Sequence, residues 1–103
     1  MMIQVGKNAR DNDRLTSEMS GQDYWFHASD VPGAHVIMKK GGDMMEAARL
    51  AAVHSKAQGP LVKVMMAQGT DVYKPPGAPP GQVICLLKKE IVVDLNERVG
   101  EYR

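Results

Sequence analysis

Two histidines, His27 and His35, stand eight residues apart in the stretch 23–36, which also holds the only Trp and the only Phe of the chain. Two imidazoles could begin a zinc site, but such a site needs a third protein ligand, which Asp30 or Cys85 would have to supply. The chain contains no HxH, HExxH or CxxC spacing. We therefore expect both histidines to bond to the backbone at strand ends, and we predict no metal and no cofactor.

Nucleophilic catalysis would require a thiol or hydroxyl activated by a neighbouring base. Cys85 lies in the apolar run 83–87, where a buried and inert thiol is the ordinary outcome, and no serine has the setting of a catalytic triad. The sequence therefore predicts no catalytic residue and a protein that is not an enzyme. A small metal-dependent hydrolase built around His27 and His35 is the least favoured alternative.

Two features are suited to binding a nucleic acid. Gly6 and Lys7 stand between a predicted strand and a predicted helix, where backbone N–H groups could receive a phosphate, although a plain strand-to-helix turn explains them equally well. Trp25 could stack on an unpaired base. Because neighbouring strand residues point to opposite faces, we expect one of Trp25 and Phe26 to lie in the core and the other to face a ligand.

A loop with four prolines, residues 75–81, follows Lys74. Proline lacks the backbone donor, so this segment cannot join regular structure. A stiff loop carrying a cation could grip a phosphate chain or a partner protein, or it could be a rigid crossover between strands. The sequence does not decide between these alternatives.

The elements that must position these residues follow from local patterns. Strands are predicted at 3–5, 24–27, 34–38, 61–67, 82–87 and 91–95, the fourth buried on both faces and the last two paired antiparallel through a tight turn. A helix is predicted over 8–20, starting at Asn8 or at Asn12, and another from Asp43 to about residue 57. The order β-α-β-β-α-β-β-β predicts an α+β fold, with two helices packed against a mainly antiparallel or mixed sheet.

The chain has 103 residues, 44% hydrophobic and 24% charged, which predicts one globular domain covering 1–103. It has one cysteine, no apolar run that could span a bilayer and no recognisable leader, so we expect a cytoplasmic protein without a membrane partner. The formal net charge of +1 argues against bulk electrostatic attraction to nucleic acid. Any basic patch must be local, and the sequence does not show which lysines converge.

Three segments resemble, in order, the NFACT-R domain, the RNA-binding module of the NFACT proteins. Residues 3–16 are similar to its opening V-G-K/R-N-x-x-x-N-D-x-L-T. Residues 23–36 are similar to D-x-W-F-H…P-G-S/A-H-V, and residues 74–83 to K-P-x-G-A-x-P-G-x-V. Together they span nearly the whole chain. Family members commonly carry basic residues where this chain has Tyr73 and Pro79, which predicts weaker RNA binding.

The resemblance implies a non-catalytic module that binds tRNA or large-subunit ribosomal RNA in a ribosome-associated quality-control role. It also implies a stand-alone domain or a domain cut from a longer protein, with the ribosome as a partner. A module that docks on a ribosomal protein or quality-control factor is the alternative. The sequence leaves the oligomeric state open. The residues that we predict to contact RNA are Lys7, Asn8, Asn12, Trp25, His27, Asp30, His35, Lys39 and Lys74.

Overall fold

A five-stranded antiparallel sheet forms the centre of the computed structural model, which describes residues 2–97. The elements are β1 (Ile3–Val5), α1 (Ala9–Glu18), β2 (Tyr24–Ala28), β3 (Val36–Met38), α2 (Met44–Val53), β4 (Leu61–Gln68), β5 (Val72–Tyr73), β6 (Ile84–Cys85) and β7 (Lys89–Asp94). The strand order is β1-β3-β2-β4-β7, and β5 pairs with β6 in a separate two-stranded sheet. The predicted α+β class, with two helices and a mainly antiparallel sheet, is confirmed.

The sheet has a core on each face, because β2 points Trp25 to one side and Phe26 to the other. Phe26 packs with the buried alanines of α2, which let the helix lie close to the sheet. Trp25 packs with Leu15 of α1 and with Ile37, its cross-strand partner on β3. Trp25 is 2% exposed and Phe26 is fully buried. The expectation that one of them faces a ligand is therefore wrong, since both faces of β2 are covered.

Side-chain caps fix the start of both helices. The Asn8 side chain accepts a hydrogen bond from the Asp11 amide at 2.8 Å, which selects Asn8 over Asn12 as the start of α1. Asp43 caps α2 by accepting from two amides, as its acidic capping box predicted.

Helix α2 ends at Val53, several residues before the predicted end near 57. The following segment pairs with the loop ahead of β3 instead: the Ala34 amide donates to His54 O and the Lys56 amide donates to Pro32 O, each at 2.9 Å. Gly33 and Ser55 form an isolated antiparallel bridge between these two bonds. A long-range ribbon therefore replaces the last turn of the predicted helix.

The end of the chain differs most from the prediction. β7 pairs with β4 over six residues, whereas β6 is only two residues long and pairs with β5, which the sequence pattern did not indicate. The predicted hairpin between the last two strands is therefore wrong. β4 is also exposed at Leu61 and Lys63, so it is not buried on both faces. Neither helix in the described part of the chain is long and apolar enough to cross a membrane.

The alanine face of α2 gives a stability prediction. Ala51 is fully buried against the sheet, so we expect Ala51→Leu to force the helix outward and to lower the free energy of unfolding by about 1–3 kcal/mol. Urea denaturation measures this change. Val53→Leu on the same helix is the control, because Val53 is 53% exposed and can accept the added methylene. Equal stability of the two variants would contradict the close packing of α2.

Candidate functional site

A cleft of about 680 Å³ opens beside the N-terminal turn of α1. Three chain segments form its walls: the turn 6–9, the loop 31–35, and residues 79–82. The last segment overlaps the end of the four-proline loop 75–81, which we call the proline loop. Asn12, His27 and His54 complete the lining. The first two segments join strands to their neighbours, so the sheet holds two of the walls at a fixed separation.

The rings of His27 and His35 form the floor of the cleft, and Trp25 packs against both of them. The rings of Trp25 and His27, two residues apart on β2, stack with centroids 5.7 Å apart and an angle of 12° between their planes. His35 stands edge-on to both, at 5.2 Å from Trp25 and 5.3 Å from His27. Trp25 is buried beneath the histidines and does not line the cleft. Its geometry indicates a support for the two imidazoles, which corrects the prediction of a base-stacking surface.

The backbone of His35 is held from two sides. Its amide donates to Asn12 Oδ1 at 3.1 Å, and its carbonyl accepts from the Gly6 amide at 2.9 Å. Asn12 is 6% exposed, so this bond satisfies a buried amide side chain. A Cβ on Gly6 would lie only 1.8 Å from Asn12 Oδ1. Glycine at position 6 is therefore what allows Asn12 to reach the residue that leads into β3.

Burial disfavours the protonated form of both floor histidines. Burial lowers the pKa of His27, and burial together with the adjacent His27 lowers the pKa of His35 to about 4. A neutral imidazole offers one hydrogen-bond donor and one acceptor, whereas a protonated one offers two donors and a positive charge. The floor can therefore recognise a polar, uncharged group, and it does not attract anions by charge.

The proline loop is fixed by an ion pair. Lys74 Nζ lies 3.1 Å from Asp13 Oδ1 and also donates to the carbonyls of Pro79 and Gln82, which accounts for its three N–H bonds. The Gly81 amide donates to the same Asp13 oxygen at 2.9 Å. Burial acts to raise the pKa of Asp13, but the bonds from Gly81 and Lys74 hold it below its usual value. We call this contact between Asp13, Lys74 and the loop the loop anchor.

The start of α1 is already occupied by side chains. The Lys7 amide donates to Asp11 Oδ2 at 2.9 Å, and Asn8 accepts from the Asp11 amide. The bond from the Lys7 amide, with that from Arg14 to Asp11 Oδ1, holds the pKa of Asp11 below its usual value. A carboxylate at this position repels a phosphate, so the geometry favours the plain strand-to-helix turn over backbone phosphate binding. The Lys7 side chain remains in the cleft wall.

The structure brings five of the nine predicted RNA-contacting residues to the cleft: Lys7, Asn8, Asn12, His27 and His35. The other four do not line it. Lys39 pairs with buried Asp23 at 3.0 Å, Lys74 belongs to the loop anchor, and Trp25 lies under the floor. Asp30 is exposed in the loop after β2 with a positive φ of 61°. RNA contacts by Asp30, Lys39 and Lys74 stay predictions, whereas the burial of Trp25 leaves it a supporting position beneath the histidines.

Sequence reasoning missed the part of the site that depends on long-range pairing. Pro32, Gly33 and His54 line both the cleft and an adjoining recess of about 340 Å³, and Lys56 lines that recess. His54 and Lys56 reach this region because their backbones pair with the loop ahead of β3. The only signal in the sequence was a histidine within the last turn of a predicted helix. In residues 2–97, no three His, Cys, Asp or Glu side chains are grouped as metal ligands would be.

Comparisons with known proteins agree on one family. Residues 1–85 match the family model described as the NFACT protein RNA binding domain. The protein named Rqc2 homolog RqcH is 43% identical in Streptococcus suis, over 93% of this chain and 19% of the relative, and 40% identical in Bacillus subtilis, over 81% of this chain and 16% of the relative. The chain thus spans less than a fifth of these relatives.

A solved structure is also similar. The C-terminal part of the fibronectin/fibrinogen-binding protein from Streptococcus suis superposes with a TM-score of 0.83 at 39% sequence identity, covering 89% of this chain and 40% of that one. The likeness therefore extends over nearly the whole fold described above.

The contact between Gly6 and Asn12 predicts a non-additive pair of substitutions. We expect Gly6→Ala to expel the Asn12 side chain and to cost about 1–3 kcal/mol of stability, because the His35 amide and Asn12 lose their bond. In the background of Asn12→Ala the clash is absent, so adding Gly6→Ala should cost little more. Denaturation of the four proteins in a double-mutant cycle measures the coupling. Additive losses would contradict the proposed contact.

The low pKa of His35 predicts an acid-sensitive fold. The unfolded chain binds a proton near pH 6.5 and the folded chain only near pH 4, so this stabilising contribution is complete above about pH 6.5 and is lost as the pH falls toward 4. The loss from His35 alone is about 3 kcal/mol. An NMR titration of the His35 ring and urea denaturation at several pH values measure the effect. A His35 ring that titrates near pH 6.5 would contradict it.

Proposed function

Because the chain belongs to the NFACT protein RNA binding domain family, we propose that it is a non-catalytic RNA-binding module with a ribosome-associated, quality-control role in the cytoplasm. The targets in this proposal are tRNA or large-subunit ribosomal RNA, and the ribosome is the wider partner. The relatives named RqcH support the ribosomal context, although this chain corresponds to less than a fifth of their length.

The observation that carries the proposal is the cleft itself. It collects the residues of all three sequence segments that resemble the family: Lys7 and Asn8 from the first, His27 and His35 from the second, and the proline loop from the third. Segments far apart in sequence that form one concave surface are the usual arrangement of a binding site.

The charge around the cleft supports modest affinity. Among residues 2–97, Lys7 is the only lysine or arginine that lines the cleft, and Lys56 lines the adjoining recess. Few phosphate contacts mean a shallow dependence of binding on salt, since each contact with a single strand contributes about 0.7 to the slope of log K against log salt. A module that binds weakly by itself suits a protein in which other regions add contacts.

A titration of labelled tRNA and of ribosomal subunits at several salt concentrations tests the proposal. We expect binding at low salt, and a slope smaller by about 0.7 in Lys7→Met. Lys40→Met is the matched control, because Lys40 is exposed at the opposite end of β3 from the cleft. Absence of binding to either RNA at low salt would refute the RNA-binding role.

The loop anchor provides a second arm of the same titration. Lys74→Met and Asp13→Asn each remove one partner of the anchor, so both should weaken RNA binding to a similar extent with an unchanged salt slope. If Lys74 instead touches a phosphate, as the sequence predicted, only Lys74→Met will reduce the slope. The comparison therefore separates a cation that shapes the site from a cation that contacts RNA.

A protein-interaction module is the second candidate function, and exposed apolar side chains favour it. Leu86 and Leu87 are 67% and 71% exposed after β6. The similar structure from Streptococcus suis belongs to a protein described as binding fibronectin and fibrinogen, so these proteins, a ribosomal protein and a quality-control factor are the partners to test. Binding to ribosomes that is insensitive to salt and survives competing RNA would favour this candidate. The hydrolase alternative gains no support, because residues 2–97 provide no grouped ligand set.

A further inference from the structure

The size and shape of the cleft restrict the form of RNA that can enter. A volume of about 680 Å³ lies within the range of roughly 300–1,000 Å³ that is typical of small-molecule pockets. This space holds a nucleotide but not a duplex. A duplex would have to be read from the surface through a stripe of cations, whereas a single lysine lines this cleft among residues 2–97.

The walls offer flat, apolar contacts at two sides. Pro32 stands on one side and Pro79 and Pro80 on another, and the loop anchor holds the latter in place. Gly81 has a positive φ of 82°, and a Cβ added to it would lie 3.2 Å from Ala9 Cβ, so the proline loop is packed directly on the start of α1. Apolar wall residues from two separate loops are therefore already in position before a ligand binds.

The floor offers hydrogen bonds without charge. His27 and His35 both line the cleft. Nδ1 of His27 is buried, and Nδ1 of His35 lies 3.4 Å from Thr16 Oγ1, so the Nε2 side of each ring is the part that can meet a ligand. The edges of nucleobases carry neutral donors and acceptors, which match neutral imidazoles better than phosphates do. Cations lie outside the floor, with Lys7 in the cleft wall and Lys56 in the adjoining recess. This separation fits a strand whose base enters the cleft and whose backbone follows its rim.

We infer that the cleft takes one unpaired nucleotide from a single-stranded segment of RNA, with the base between the proline walls and above His27 and His35, and with the flanking phosphates near Lys7 and Lys56. This inference rests on the proposed RNA-binding function and specifies the substrate class of the same site. Unpaired segments are also the part of an RNA that exposes base edges to a protein.

The test compares three labelled probes in anisotropy titrations: a single-stranded RNA of about twelve nucleotides, a duplex of the same sequence, and tRNA. We expect the single strand to bind at least about tenfold more tightly than the duplex. His27→Phe keeps a ring stacked on Trp25 but removes both ring nitrogens, and it should weaken single-strand binding by about tenfold. Lys40→Met is the control for changes remote from the cleft.

NMR chemical-shift mapping with a ribonucleoside monophosphate gives a second measurement that does not depend on the folding of a variant. Shifts concentrated in loops 6–9, 31–35 and 79–82 support the inference. Equal or tighter binding of the duplex, or shifts confined to surfaces away from these loops, overturns it. Binding of tRNA or the duplex without the single strand overturns this inference alone, whereas failure of all three probes overturns the RNA-binding function as well.

Discussion

The alternation of side chains along β2 is the constraint on which the other parts of the structure depend. One five-residue strand supplies Phe26 to the core under α2 and Trp25 to the core beside α1, and the same alternation places His27 next to Trp25 in the floor of the cleft. A shift of β2 by one residue relative to its neighbours would exchange these faces and would remove both cores and the floor together. The fold and the candidate site thus depend on a single register.

Electrostatics divide the site into two kinds of surface. Burial lowers the pKa of both floor histidines and so favours their uncharged form. The ammonium group of Lys74 instead bonds to Asp13 and to two backbone carbonyl groups. The lysines that can contact a ligand, Lys7 and Lys56, lie at the edge of the site. The net charge of +1 does not show where the charges lie. Lys74 and Asp13 neutralise each other inside the protein, so Lys74 adds no free positive charge to the cleft.

The elements that local patterns specify were predictable from the sequence, and the pairings between distant segments were not. Capping residues and apolar spacing indicated both helices and the first four strands correctly, with errors of a few residues at their ends. The early end of α2 depends on a bridge between Gly33 and Ser55, and the pairing of β7 with β4 depends on strands far apart in sequence. Of the site, the sequence indicated Lys7, Asn8, Asn12, His27 and His35, whereas the contributions of His54 and Lys56 follow from that bridge. The ion pair of Lys74 with Asp13 could not be predicted, because the two residues are far apart in sequence and meet only in the folded protein.

The loop anchor has a thermodynamic consequence for any ligand of the cleft. Four prolines and the bonds to Asp13 and Lys74 restrict residues 75–81 when the protein folds, so the conformational entropy of this wall is lost before a ligand arrives. Association then resembles the docking of two preformed surfaces, with little cost for ordering the protein. Binding then needs no slow closure of this loop, and differences in affinity between ligands should appear mainly in the dissociation rate.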